Sequence, residues 1–428
     1  MLFLQPMKVF KFGGASVKDA KAVVNVGNIL KKYQNEKLLV VISAMGKTTN
    51  GLERMLSAWF DGKGDIASKE LADIKSFHNG IIGDLIGGDL QNNYHEVDNL
   101  FIELECYIET KPVNTDFDFL YDQIVGYGEL ISTKIISIYL QSIDVNNRWL
   151  DARNFINTTD DYRQARINWE ATEEIIANRL HPLVNRQLVI TQGFIGRNNR
   201  NNTTTLGREG SDYSASIFAY CLNAESVTIW KDVDGVMNAD PKRMQNTTIM
   251  HEISFSKAIE LAYYGATILH PKTIQPLLRK SIPLYVKSFI NPEAQGSVIK
   301  ANDLVKEDIT TCYIFKDNQI LINLSSKDFS FIVESNLSKI FSILADARVQ
   351  INVMQNSAIS FSFCANYDER KFKVLIPQLS ENFNLEVKEN LTLITLHNYK
   401  EKDLPELLKG KEILIEQHSK NVVQYVYR

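Results

Sequence analysis

The sequence predicts an α/β protein, with a mainly parallel sheet sandwiched by helices, followed by two small α+β modules. Three observations carry this. Residues 8–12 read as a strand, 16–33 as an amphipathic helix and 37–44 (KLLVVISA) as a strand apolar enough to be buried on both faces, so the chain opens on a βαβ unit. Strand-like runs at 149–153, 187–193 and 226–232 each deliver a polar residue or a glycine to their C-terminal end, where open α/β sheets hold ligands. Beyond about residue 300 the pattern changes to alternating strands and short helices with antiparallel connections.

In chain order, residues 51–145 are mainly helical and include an apolar run at 125–139 (VGYGELISTKIISIY). The polar stretch 198–205 (NNRNNTTT) has no periodicity and reads as a surface loop. Residues 255–269 form a helix with the apolar stripe Ile259, Ala262 and Ile268, and 282–288 is a further strand. Proline, glycine and small polar residues at 291–303 place a boundary near 300, giving domains 1–300 and 301–428. In the second domain 319–324 reads as a strand, 336–347 as a helix with its apolar face on Leu337, Ile340, Phe341 and Leu344, and 359–365 as a strand. A second, trimmed round follows at 385–388, 391–397, 404–408 and 422–427.

Composition narrows the function classes. With 47 Lys and Arg against 51 Asp and Glu the net charge is −4, and no basic stripe is present, so nucleic acid and anionic membranes are poor partners and small molecules better ones. No apolar stretch approaches the ~20 residues that span a bilayer. The first six residues have neither a basic n-region nor an h-region, so neither a signal nor a transit peptide is expected, and Met7 offers an internal start. Cys106, Cys221, Cys312 and Cys364 lie far apart without C-x-x-C spacing, which argues against disulfides and zinc and fits a reducing, cytoplasmic setting. His270 reads as a packed histidine at a helix end rather than a ligand.

Five segments carry chemistry. In Lys11-Phe12-Gly13-Gly14-Ala15-Ser16-Val17 a strand meets a glycine pair and a helix start, a combination that cradles phosphate and also makes an ordinary tight turn. Residues 41–50 (VISAMGKTTN) empty a buried strand into hydroxyl residues, including Ser43 and Thr49, which offer donors to anionic oxygens or cap the next helix. Glu129, after Gly126-Tyr127-Gly128, suits either a ligand ammonium or the helix dipole. In residues 205–212 (TLGREGSD) glycines flank Arg208, whose planar fork matches a carboxylate, while Ser211 and Asp212 stand at a helix start. Residues 230–242 (WKDVDGVMNADPK) read as a solvated turn or as a holder of ribose and distal phosphates.

Taken in order, these segments resemble the amino-acid kinase family and, within it, the aspartokinases. The matching blocks are KFGGASV (11–17), VISAMGKTTN (41–50), GYGEL (126–130), DAR (151–153), TQGFIG (191–196), TLGREGSDYSA (205–215), KDVDGVMNADPK (231–242) and ELAYYGATILHPKTIQPL (260–277). The resemblance implies the amino-acid kinase fold and transfer of the γ-phosphoryl group of ATP to the β-carboxylate of L-aspartate. This would be the first step towards lysine, threonine and methionine. Lys11 would bridge the transferring phosphoryl, with Gly13 and Gly14 donating to phosphate oxygens and Asp212 holding Lys11. Ser43, Thr49 and Ser211 would approach substrate and phosphate oxygens, Glu129 would take the α-ammonium and Arg208 the α-carboxylate. Lys231, Asp232, Met237 and Lys242 would contact the nucleotide, with Mg²⁺ arriving on ATP and no protein cage for a metal. No general base is needed, because a carboxylate nucleophile is ionised at neutral pH.

Residues 301–428 resemble the paired ACT modules of aspartokinases, which implies a homodimer or higher homo-oligomer and an amino-acid effector such as lysine or threonine, with 349–357 as the effector segment. Departures from the family pattern are Glu209 after Arg208, Lys231 before Asp232, Met237, Lys242, Thr267, and Asn352 and Ala358 where lysine-regulated members carry carboxylates. The last pair weakens lysine feedback, since a cationic effector loses its counter-charges. A fused homoserine dehydrogenase domain, present in some members, is not expected here. A non-catalytic amino-acid sensor and a kinase of another small acid are the competing readings.

Overall fold

The computed structural model describes residues 7–86, 94–109, 116–266, 269–305, 310–328, 330–400 and 407–428. The chain divides into two compact units, the first being Met1–Val236, Ile249–Ile259 and Ile268–Lys306, the second Met237–Thr248, Glu260–Thr267 and Glu307–Arg428.

An eight-stranded sheet organises the first unit, in the order Asn147–Trp149, Leu188–Gln192, Lys37–Ile42, Met7–Phe12, Ser226–Lys231, Leu284–Ser288, Ser297–Lys300, Glu252–Ser254. All its pairings are parallel except that between Leu284–Ser288 and Ser297–Lys300. Lys37–Ile42 is buried along almost its whole length, as a central strand covered on both faces must be. The helix Ala20–Lys32 starts at Asp19, whose carboxylate accepts from Ala22 N at 2.8 Å, and buries Val23, Val26, Ile29 and Leu30. Each such side chain contributes about 1.5–3 kcal/mol of transfer free energy. From Met7–Phe12 the chain moves to one side of that strand and later returns on its other side at Ser226–Lys231, a topological switch point beside the first strand.

Several boundaries differ from the sequence reading. The first helix begins at Ala20, because Gly14–Val17 forms a 3₁₀ turn. Residues 149–153 are not one strand: Asn147–Trp149 ends early and Ala152–Asn154 is a 3₁₀ turn capped by Asp151. Thr203–Thr205, read as loop, is a buried strand paired with Ile195, Gly196 and Arg197. The helix read at 255–269 is Phe255–Tyr264, and Ile268 lies outside the described residues.

In the second unit the two α+β modules share one antiparallel sheet, ordered Ile351–Asn356, Ser360–Asn366, Cys312–Ser326, Phe383–His397, Val422–Tyr427, Ile413–His418. Two 15-residue strands run through both halves, with register shifts between Lys316 and Gln319 and between Gln319 and Leu321. The helices Glu334–Asp346 and Glu369–Ser380 cover one face, closing a core of Ile322, Leu324, Phe361, Phe363, Ile340 and Leu375. The second helix escapes the sequence reading because Pro377 sits in its last turn. Most of the expected segment 404–408 lies outside the described residues.

Candidate active site

The C-terminal ends of four adjacent parallel strands meet at one edge of the first sheet. Lys11 is level with Val41 on one side and Ile229 on the other, and Ile42 with Gln192. Lys11 is 8% exposed, with its ammonium 2.5 Å from Asp212 Oδ1 on the helix Gly210–Leu222. This is a close ion contact without the alignment of a hydrogen bond, and Asp212 Oδ1 accepts none from any described residue. A Cβ on Gly13 would lie 3.3 Å from the Lys11 ammonium, and one on Gly14 only 2.8 Å from Ala44 O. The glycine pair therefore runs bare backbone beside a buried cation and against the loop after Lys37–Ile42, as a phosphate cradle requires. Gly46 N donates to Gly14 O at 3.1 Å and Ser43 N to Phe12 O at 3.0 Å, which ties the two loops together.

Glu129 sits in the first turn of the helix Tyr127–Ser142 and is 3% exposed. Its Oε1 accepts from Ala44 N at 3.3 Å, while Oε2 is buried without a partner among the described residues. Burial pushes its carboxyl up to about 8, against the opposing pull of the Ala44 N–H and the Lys11 charge. An orphaned buried carboxylate oxygen is costly unless a cation arrives to share it. The helix that carries Glu129 is held from below: Thr133 Oγ1 donates to Glu129 O at 2.8 Å, and accepts from Gln192 Nε2 at 2.7 Å and Trp149 Nε1 at 2.9 Å. Gly128 lets the helix approach, since a Cβ there would lie 2.9 Å from Ala44 Cβ.

Arg208 is exposed on the turn before the Asp212 helix, and no described contact joins it to Lys11 or Glu129. Gly207 precedes it at φ +77°, where a side chain would be strained and its Cβ would sit 3.0 Å from Arg163 O. Glu209 follows at φ +54° as the N-cap residue, without a capping bond and with Oε2 buried and unpartnered. The helix start thus belongs to Glu209 rather than to Ser211 or Asp212. Ser211 packs so closely on Gly193 that a Cβ there would come within 2.5 Å of Ser211 Cβ. Ser43 is half-buried and Thr49 lies in the first turn of the helix Thr48–Phe60.

Lys231 ends the strand Ser226–Lys231, and Asp232 is exposed just beyond it. Met237 and Lys242 belong to the second unit. There Met237 Sδ accepts from Thr247 Oγ1 at 3.6 Å, and Lys242 N donates to Asp240 Oδ1 at 2.9 Å. Thr267 lies outside the described residues. His270, as expected, caps a helix: its Nδ1 accepts from Lys272 N at 3.2 Å at the start of Pro271–Arg279, and burial lowers its pKa.

In the expected effector segment, Asn352 Oδ1 accepts from Lys316 Nζ at 2.7 Å, and Asn352 Nδ2 donates to Gln319 Oε1 at 2.7 Å and to Asn366 Oδ1 at 2.9 Å. Burial lowers the Lys316 pKa, and no carboxylate hydrogen-bonds its ammonium among the described residues. Sequence reasoning missed this lysine and, in the first unit, Asp122, a fully buried carboxylate in the apolar run of Phe117–Val125. A charged residue inside such a run was its only signal.

Residues 6–288 match the amino acid kinase family. Lysine-sensitive aspartokinase 3 of Escherichia coli (strain K12) is 32% identical over 395 residues, covering 91% of this chain and 86% of that protein. Chloroplastic aspartokinase 1 of Arabidopsis thaliana is 33% identical over 418 residues, covering 95% of this chain and 69% of that one. The crystal structure of E. coli aspartokinase III with aspartate and ADP superposes with a TM-score of 0.82 at 29% identity, covering 98% of this chain and 96% of that one. Its complex with lysine and aspartate gives 0.81 at 30%, covering 98% and 95%.

Proposed function

We infer the reaction from one premise: this chain belongs to the amino acid kinase family and, within it, to the aspartokinases. It transfers the γ-phosphoryl group of ATP to the β-carboxylate of L-aspartate, giving an acyl phosphate. Phosphoryl transfer asks mainly for positioning and charge neutralisation. Lys11, held by Asp212, neutralises the transferring group, and the backbone of Gly13 and Gly14 donates to its oxygens. Glu129 receives the α-ammonium and Arg208 the α-carboxylate, with Ser43, Thr49 and Ser211 around them. The Glu129 Oε2, buried and without a partner, is the observation that carries the amino-acid reading, because an ammonium supplies the missing donor. Lys231 and Asp232, in the first unit, are assigned to the nucleotide. Mg²⁺ accompanies ATP on its phosphate oxygens; among the described residues no group of three or more His, Cys, Asp or Glu could hold a metal.

The second unit is assigned an amino-acid effector and a role in pairing chains into a homodimer. Of lysine and threonine, threonine suits it better, because the Lys316 ammonium already occupies Asn352 and would repel a cationic side chain. The scattered, unpaired cysteines support a cytoplasmic placement; no described helix is long and apolar enough to cross a membrane. The test is hydroxamate formation with ATP and aspartate, glutamate or succinate, with and without lysine or threonine. Aspartate is expected to react and succinate, which lacks the ammonium, to fail; equal turnover of succinate would remove Glu129 from the site.

A further inference from the structure

Two consecutive side chains, Asp122 and Gln123, complete the outer edge of the short strand Thr203–Thr205. Gln123 Nε2 donates to Thr203 O at 2.9 Å, and Thr203 N donates to Gln123 Oε1 at 3.1 Å. Thr205 N donates to Asp122 Oδ2 at 2.9 Å and Thr205 Oγ1 to Asp122 Oδ1 at 2.7 Å. Thr205 O accepts from Ala165 N at 3.0 Å. A helix thus stands where a neighbouring strand would, using side chains for backbone. Asp122 also accepts from Arg163 N, at 3.1 Å to Oδ1 and 3.0 Å to Oδ2, so one carboxylate clamps two loops.

Those loops lead to the proposed substrate groups. Thr205 is three residues before Arg208, and the intervening Gly207 lies against Arg163 O. On the other side, Phe117–Val125 passes through Gly126 into the helix that begins at Tyr127 and bears Glu129. Gly126 is packed tightly, since a Cβ there would be 2.9 Å from Ile195 Cγ2 on the strand paired with Thr203–Thr205.

We infer that Asp122 is a positioning residue for amino-acid binding: its carboxylate sets the span between the ammonium-binding helix and the carboxylate-binding loop, and protonating it releases that loop. The inference rests on the aspartate reading above. Asp122 is fully buried, and its hydrogen bonds come from neutral donors. The charged groups around it are otherwise engaged. The Arg163 guanidinium bonds Asp118 Oδ1 at 3.1 Å and lies over the Tyr121 ring, the Tyr121 hydroxyl donates to Glu53, and Arg153, which reaches Thr203 Oγ1, pairs with Asp151. With no cation bonded to it, burial raises its carboxyl to about 6. A protonated Asp122 has one acceptor fewer for the donors from Arg163 and Thr205, so the Arg208 loop loosens below that pH.

The test is the pH dependence of kcat/KM for aspartate, with kcat and the KM for ATP followed in parallel. In the wild type log kcat/KM should fall with a slope of one below about pH 8, as Glu129 takes up a proton, and with a slope of two below about pH 6. Asp122→Asn should lower kcat/KM for aspartate roughly tenfold or more at neutral pH, leave the ATP KM within about twofold, and keep a slope of one to the acid end. Thr205→Val, which removes the hydroxyl that favours the ionised carboxylate, should move the second break above pH 6 in a fully folded enzyme. A slope of two persisting in Asp122→Asn, or an unmoved break in Thr205→Val, overturns the inference. So does a parallel loss of kcat and both affinities. If aspartate is not phosphorylated at any pH, it is the aspartate reading that fails.

Discussion

Glu129→Gln removes the charge from a carboxyl that the fold leaves half-satisfied. The wild-type carboxyl stands at about 8 in the folded chain against an ordinary 4.5. The folded state therefore holds this proton over a range in which the unfolded chain has released it. Stability from this group is full below pH 4.5, declines as pH rises, and is gone above about pH 8. At about 1.4 kcal/mol per pH unit the whole decline is roughly 5 kcal/mol. Asp122 titrates in the same direction around pH 6, and His78, held neutral by burial, in the opposite direction up to its ordinary range, so the difference between wild type and Glu129→Gln, rather than the wild type alone, isolates Glu129. Between pH 6 and 8 the wild type should lose about 2–3 kcal/mol more unfolding free energy than the variant, in the absence of substrate. Glu129→Gln should lack this loss and be the more stable protein at pH 8, while binding aspartate far more weakly. Urea unfolding at pH 6, 7 and 8, read by circular dichroism, measures the slope, and calorimetry measures aspartate binding. The same pH dependence in wild type and variant between 6 and 8 would show that Glu129 does not hold its proton in the folded chain.

Three further outcomes follow from the same geometry. Asp212→Asn leaves the Lys11 ammonium without its counter-charge, and kcat should fall about a hundredfold or more with smaller changes in either KM, measured by coupled ADP release. Arg208→Ala should raise the aspartate KM roughly tenfold or more, the worth of a charge-assisted bidentate contact, with an unchanged melting temperature because the side chain is exposed. Glu209→Gly should stabilise the fold by up to about 1 kcal/mol in calorimetry, since it relieves a left-handed non-glycine backbone and an unpartnered buried oxygen.

The parts of the site legible in the sequence were those in which residue type and backbone constraint coincide. Glycine at 14 and 128 is needed where another chain segment approaches within 3 Å of a missing Cβ, Gly13 lies beside the Lys11 ammonium, and Lys11 stands at the end of an apolar strand. The parallel sheet followed from apolar runs such as residues 37–42, buried almost throughout. What stayed hidden depends on pairing across the chain. Thr203–Thr205 is polar and short, and becomes a buried strand only because Ile195–Arg197 and the side chains of Asp122 and Gln123 supply its partners. The continuity of the second sheet was obscured because Cys312–Ser326 and Phe383–His397 carry a register shift or polar residues at mid-strand, which break the alternation. Lys316 gave no signal because its meaning lies in Asn352, 36 residues away.

The central claim is that an ionised carboxylate of aspartate attacks ATP beside Lys11. Trapping the product with hydroxylamine and identifying it by mass spectrometry tests this most directly. Aspartyl β-hydroxamate should form in step with ADP, and be lost in Asp212→Asn. ADP release without any hydroxamate, or a hydroxamate of the α-carboxylate, would contradict it.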